Sequence, residues 1–455
     1  MTTERKQELS RFHKALTLGA IDPATPSGKE LYLPFHEQPG EPRGSDPMAD
    51  LQATIGLSAD GSTSQLFSGF QGSGKSTELH RLARQLVDLG HSVIFIRGNE
   101  VLNLTQPLEI SDLLLSVAAA VGLHLDDKLG QSPARQTLFE KVTEFFGAIR
   151  LKEVELGLGV DLGLGDVGKA SVSLAKLKLE LKENPSFKSR VQGALRGTFH
   201  QFLDAFRRLM SEARKLLGTG KEGQSPVVII DDLEKITGLG VEQDIVQKGM
   251  EQIFWQFHHA LKIDGWHSIW AAPPYLQLLN SAVSGNYDGS VVLPMIRLWD
   301  NDADRTPNEA GLTAARKCLR LRGKAISGNI DGLFLNDTLL DDLILVSSGH
   351  LRDLIRLMQD VVRETYKRDP TKPLNEPTVR RIIDDYVTDG QKGIYGNDLP
   401  WLRELADRRQ VVGVLSDPSL IPRVSKLMDT AVIMTYRNGE EWFDVSAPVR
   451  RLLTR

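Results

Sequence analysis

The sequence predicts an α/β protein built on a parallel sheet, and three observations carry that prediction. Short strand-like runs alternate with stretches of helical periodicity from about residue 51 onward. A glycine-rich turn joins the first such run to the first helix, and a later, wholly apolar run ends in adjacent acids. Strand–helix–strand alternation implies parallel pairing, because each crossover helix covers a face of the sheet.

The elements follow in chain order. Residues 1–50 open with a short helix and then turn rich in Pro and Gly, which reads as an extended lead-in arm. Ser64–Ser68 is the first strand. Leu79, Leu82, Ala83, Leu86 and Leu89 recur at helical spacing until Gly90, so a helix starts at Lys75. Ser92–Arg97 is the second strand and Ser111–Val121 an apolar helix. Residues 125–225 interrupt this rhythm. There, VELGLGVDLGLG (154–165) and ASVSLAKLKLELK (170–182) alternate with period 2 and predict a β-hairpin, and Gln192–Leu217 predicts one long helix.

The sheet resumes with Val227–Ile230, an apolar run suited to a central strand. A helix over Val246–Leu261, a strand at His267–Ala271 and a fifth strand at Val291–Trp299 complete it. Beyond residue 310 four helices are expected: Leu312–Leu321, Asn336–Val346, His350–Arg368 and Glu376–Val387. Near the end, helical signals precede Ala431–Tyr436, an Asn438-Gly439 turn and Glu441–Val445. An Asn-Gly between apolar runs signals a hairpin, and helices followed by a small hairpin predict a winged helix. The domains expected are an arm at 1–50, a core at 51–309 with an insertion at about 125–225, a helical unit at 310–390 and a winged-helix unit at 391–455.

Composition narrows the function. The 455 residues are 41% hydrophobic and 25% charged, which excludes a fibrous or wholly disordered chain. Lys plus Arg number 55 against 59 Asp plus Glu, a net charge of −4. Nucleic acid, if bound, must therefore meet a local patch rather than a basic surface. Residues 401–455 are only mildly basic, so their winged helix is as suited to protein as to DNA. Cys318 is the only cysteine, which excludes an intrachain disulfide and multi-cysteine metal sites. No apolar run reaches the ~18 residues of a membrane helix, and the charged N-terminus lacks a secretory pattern. A cytoplasmic protein is expected.

Gly69-Phe70-Gln71-Gly72-Ser73-Gly74-Lys75-Ser76 fits G-x-x-x-x-G-K-[ST] between a strand and a helix. Glycines let backbone N–H groups curl around phosphate oxygens, and the helix N-terminus adds positive field. Lys75 would meet the β- and γ-phosphates and the Ser76 hydroxyl would ligate Mg²⁺. The expected nucleotide-binding set is Gly69, Gln71, Gly72, Ser73, Gly74, Lys75, Ser76 and Thr77. The run VVIIDDLE (227–234) places carboxylates at a strand's C-terminal end, where open α/β sheets bind ligands. Asp231 would hold Mg²⁺ through water. Asp232 would orient or deprotonate the attacking water, with Glu234 as the alternative. Acids without metal-binding cysteines favour Mg²⁺ over a transition metal. No Asn-Lys-x-Asp for guanine occurs, so the nucleotide is ATP rather than GTP. Ser347-Ser348-Gly349-His350 is similar to the ABC-transporter signature but lies after the acidic strand, which rejects that class.

Together, FSGFQGSGKSTELHRL, VVIIDDLEK and GHLRDLIRLM resemble the AAA+/STAND group of P-loop ATPases, especially origin-recognition-like and bacterial conflict-system members. The resemblance covers residues 40–455 apart from the hairpin insertion. It implies strand order 5-1-4-3-2, a helical lid, a C-terminal winged helix, and a homo-oligomer working with a separate effector or regulator. It also implies that Arg352 of Gly349-His350-Leu351-Arg352 reaches the γ-phosphate. The strand at 267–271 departs from the pattern: it runs into Ala272-Pro273-Pro274, where the group has a polar residue facing the attacking water, so slow turnover is expected. Arg297, Arg305, Arg320 and Arg322 are candidates for an arginine acting on a neighbouring subunit. The function implied is a nucleotide-dependent switch or assembly ATPase in bacterial (anti-phage) defence or regulation. The alternative is a DNA-binding ATPase of replication or transposition with the winged helix as reader.

Overall fold

In the computed structural model, which describes residues 2–130, 132–148, 175, 177–217, 224–236, 242–276, 282–302, 304–326, 329–411 and 417–454, five strands form one sheet. They are β1 (Thr63–Gly69), β2 (Val93–Arg97), β3 (Val227–Asp231), β4 (His267–Ala272) and β5 (Gly289–Leu293), in the spatial order β2-β3-β4-β1-β5. Read from the other edge, this is the order 5-1-4-3-2 that the resemblance implies. The pairs β2–β3, β3–β4 and β4–β1 are parallel. Phe67 lies opposite Ala271, and Ile230 opposite Trp270, so β1, β3 and β4 run out at one edge of the sheet. β1, β3 and β4 are buried throughout, as the central strands of a parallel sheet are expected to be.

The chain divides into two compact units. One comprises Met48–Ser68 and Leu82–Val291; the other comprises Met1–Pro47, Gly69–Arg81 and Val292–Arg455. In the first unit, the expected apolar helix spans Ile110–Leu129, opened by a Glu109/Asp112 capping box. The single helix expected at 192–217 is instead two, Pro185–Arg196 and Phe199–Leu217, parted at Gly197 and Thr198. The helix expected over 246–261 starts at Glu242, loosens into a π-turn at Gln252–Gln256 and re-forms at His258–Leu261.

Most of the predicted hairpin, 154–174 and 176, lies outside the described residues. Its last part is described, and 177–183 is helical rather than a strand. Alternating Lys and Leu satisfies both periods, and burial decides between them. Leu177 and Leu181, four apart, are each 4% exposed, whereas Leu179 between them is 50% exposed.

The fifth strand ends earlier than expected, at Leu293, because Pro294 has no N–H for the ladder. Ile296 and Leu298 enter the apolar core of the second unit instead, beside Leu319, Leu343 and Met358. The lid helices Glu309–Arg322, Asp337–Val346, Leu351–Lys367 and Glu376–Gly390 stand where the periodicity puts them. Residues 1–50 are not an extended arm. Thr2–Ala15 is a helix, and its Leu9 and Phe12, followed by Leu16, form an i, i+3, i+7 stripe in the lid core, joined by Leu33 and Phe35.

The C-terminal part contains Leu399–Arg408, Ile421–Asp429, the antiparallel hairpin β6 (Ile433–Asn438) and β7 (Glu440–Val445), and Ala447–Leu453. This is the predicted winged-helix pattern. Tyr436 stacks on Trp442 at 4.4 Å, and the Arg409 guanidinium lies over the Trp442 ring. Asp444 of β7 is fully buried, 2.7 Å from Arg305 and also paired with Arg450. Burial pushes the Asp444 carboxyl up to about 6 against the pull of Arg305. No helix among the described residues is long and apolar enough to cross a membrane.

Candidate nucleotide site

The glycine-rich turn closes β1 and opens the helix Lys75–Asp88, as the sequence predicts. Gly69, Gly72 and Gly74 have φ of +153°, +89° and +105°. Gly72 is required twice over. Its φ excludes most side chains, and a Cβ there would lie 2.7 Å from His350 Nε2 and 2.8 Å from Arg352 Cβ.

The carbonyls of this turn are held by side chains and backbone far away in sequence. His350 Nε2 bonds the Gln71 carbonyl at 2.8 Å, and the Arg352 N–H donates to the Gly72 carbonyl at 3.2 Å. Arg43 Nη2 donates to the Ser73 carbonyl at 2.7 Å and to the Pro294 carbonyl at 2.9 Å. Burial pulls the Arg43 guanidinium down to about 10, opposed by Glu78 and Tyr32. His350 is fixed from its other side by Asp353, with Nδ1 to Oδ2 at 2.7 Å, and Tyr386 donates to the same oxygen. Burial alone would raise the Asp353 carboxyl; the facing His350, Arg356 and Tyr386 outweigh it and hold Asp353 below its usual range. A carbonyl can only accept, so the His350 ring donates to Gln71 from Nε2.

Lys75 is buried and donates from Nζ to the Phe70 carbonyl at 3.0 Å, within the turn it serves. Ser76 is partly exposed on the first turn of the helix. Thr77 Oγ1 accepts the Ile21 N–H at 3.1 Å, so its hydroxyl secures the N-terminal segment. The same helix is tied further along: Tyr32 donates to Glu78, and Arg81 bridges Glu78 and Asp46. The Arg352 side chain lines a cavity of about 650 Å³ together with Gln71, His350 and Asp353. The turn that carries His350 is also held by the wing. Tyr436 donates to the Ser348 carbonyl at 2.7 Å, and the Ala447 N–H donates to Ser348 Oγ.

In the other unit, Asp231, Asp232 and Glu234 are all buried, with one carboxylate oxygen from each lying within 4.8 Å of the others. Asp232 has a φ of +69°, a conformation uncommon for a non-glycine residue and often associated with functional sites. Lys235 pairs with Asp232. Gly98, directly after the neighbouring strand β2, makes room, since a Cβ there would lie 2.8 Å from the Asp231 carbonyl oxygen. Oxygen donors alone, buried and close together, suit a hard divalent cation such as Mg²⁺. β4 ends at Ala272 beside Pro273 and Pro274, so this strand end presents no polar side chain at the expected place.

Of the four arginines considered for action on a neighbour, Arg305 is committed to Asp444, and Arg322 is buried against Cys318. Arg320 pairs with Asp331 on the surface, and Arg297 donates to the Gly40 carbonyl. Arg43, His350, Asp353 and the Tyr32–Glu78–Arg81–Asp46 network were not visible in the sequence. The only local sign was that His350 sits beside the Gly349…Arg352 motif.

No protein-family model matches the sequence, and no curated protein matches it. Among solved structures, the chain is similar to the Orc1 protein of Aeropyrum pernix, determined in complex with DNA. That likeness has 12% identity and a TM-score of 0.32, covering 89% of this chain and 91% of the other. It is also similar to Cdc6p from Pyrobaculum aerophilum, with 12% identity and a TM-score of 0.33, covering 90% of this chain and 91% of that one. At this level of superposition the likeness carries no argument about activity.

Proposed function

We propose that this chain is a P-loop ATPase that binds ATP with Mg²⁺ and works as a slow, nucleotide-dependent switch. The observation that carries the reading is the 69–77 turn: three glycines at positive φ, carbonyls bonded to neighbouring groups, and a lysine and serine opening the following helix. In this reading Lys75 meets the β- and γ-phosphates, and Ser76 and Asp231 hold Mg²⁺, which neutralises the developing charge when bound. Asp232 activates water, with Glu234 as the alternative, and Arg352 senses the γ-phosphate from the lid. The apolar end of β4 supports slow turnover, since one water-orienting group is missing there.

Fluorescent-ATP titration of wild type and Lys75→Ala tests the reading. Micromolar binding that disappears in the variant supports it; equal binding by both, or none by either, removes it. Sedimentation with ADP and with a non-hydrolysable ATP analogue tests nucleotide-dependent self-assembly. No feature of the described residues bears on a defence role or a separate effector.

The winged-helix pattern favours a second reading, a DNA-binding ATPase. The helix Ile421–Asp429 before the hairpin supplies two basic residues, and one of them, Arg423, is bound to Asp398. A salt-dependent shift of duplex DNA by the full chain, lost in Lys426→Glu, would support this reading.

A further inference from the structure

We infer that His350 and Arg43 are positioning residues that hold the phosphate loop's peptide planes ready for an anion before nucleotide arrives; this rests on the proposed ATP site. A trans peptide carries its C=O and N–H on opposite sides, so fixing a carbonyl aims the next N–H the other way. Three consecutive planes are pinned here. His350 Nε2–H holds the Gln71 carbonyl and thereby aims the Gly72 N–H. The Arg352 backbone N–H holds the Gly72 carbonyl, and the Ser73 N–H closes the turn onto the Phe70 carbonyl at 3.1 Å. Arg43 holds the Ser73 carbonyl and aims the Gly74 N–H.

Neither the Gly72 nor the Gly74 N–H donates to an acceptor among the described residues. Two backbone donors are thus left pointing away from their clamping groups, available to an anion. This is preorganisation: the cost of orienting the loop dipoles is met by the fold rather than at binding. The clamp is itself braced. Asp353 and Tyr386 fix the His350 ring, and the Pro294 carbonyl takes the second Arg43 bond.

The clamp differs in signature from a γ-phosphate sensor. It acts on donors that meet phosphates present in both ATP and ADP, so its loss weakens both ligands alike. His350→Ala should raise the Kd of ATP and of ADP each about ten-fold with kcat little changed. His350→Gln, whose amide can still donate to the Gln71 carbonyl, should recover most of that loss. Arg43→Lys keeps the charge but cannot reach two carbonyls in the same geometry, and should weaken both nucleotides similarly.

Amide exchange in the nucleotide-free chain tests the clamp without any ligand. In His350→Ala, the Ser73 N–H, which closes the turn onto the Phe70 carbonyl, should exchange about ten-fold faster while the helix Leu351–Lys367 keeps its protection. Unchanged exchange at Ser73, or wild-type affinity for both nucleotides in His350→Ala and in Arg43→Lys, overturns the inference. Faster exchange in a chain whose wild type binds no nucleotide overturns the proposed ATP site and leaves the clamp standing. Should His350→Ala fail to fold, Arg43→Lys carries the same two measurements.

Discussion

The phosphate loop and the acidic strand end are built on opposite principles. The loop is made of backbone: in the proposed reading its recognising groups are N–H dipoles, and its carbonyls are satisfied by His350, Arg43 and Arg352. The strand end is made of side chains: three buried carboxylates crowd one another, and Lys235 pairs with Asp232. Dipoles held in place cost nothing further when a ligand arrives, whereas crowded like charges are relieved by a cation. The loop should therefore be formed before its ligand, and the acidic end should depend on Mg²⁺.

Four substitutions can break or sharpen that contrast. Lys75→Ala removes the charged side chain that the loop carries and should abolish ATP binding, and turnover with it, in a titration with or without Mg²⁺. Asp232→Asn strikes only the acidic end. It should leave ATP affinity near wild type while turnover falls by about 10²–10⁴, the usual worth of a general base. Undiminished phosphate release in that variant moves the base role to Glu234.

Arg352→Ala tests whether the lid reads the third phosphate. A charge-assisted bond to phosphate is worth roughly 1.5–3 kcal/mol, or about ten- to hundred-fold in affinity for ATP. ADP should bind normally and the ATP-dependent change in sedimentation should vanish; a wild-type response to the analogue would make Arg352 a surface residue only. The smallest effect belongs to Gly98→Ala. The added Cβ must push on the Asp231 backbone, at an expected cost of about 1–3 kcal/mol in stability. Chemical denaturation measures the cost. ADP affinity should stay unchanged if the loop is independent of the acidic end.

The strand–turn–helix around the glycine-rich loop is legible because its signal is local: glycine spacing, a lysine, and a helix with its apolar stripe. The strand order followed from the group those motifs resemble. What escaped has a common physical cause. Arg43 and His350 reach the loop across 30 and 279 positions of sequence, and no periodicity marks such a contact. The lysine–leucine alternation at 177–182 fits two periods at once, and only the burial of Leu177 and Leu181 selects the helix. The N-terminal stripe of Leu9, Phe12 and Leu16 was present in the sequence but outweighed by the Pro- and Gly-rich stretch after it. Tertiary packing decided that segment.

The bond from Tyr436 to the Ser348 carbonyl has a thermodynamic consequence. The wing and the phosphate loop share one short turn, since residue 348 is held by the hairpin and residue 350 by Gln71. Should nucleotide displace that turn, it biases the hairpin, and the bias runs equally in reverse. Whatever docks on the winged helix must then change the affinity for nucleotide by the same factor that nucleotide changes its own docking. A partner that prefers the ATP-bound chain ten-fold would slow ATP escape or speed ATP capture by a combined factor of about ten, without touching a phosphate. Tyr436→Phe, which deletes one hydroxyl and little else, is the change that would uncouple the two ends of that exchange.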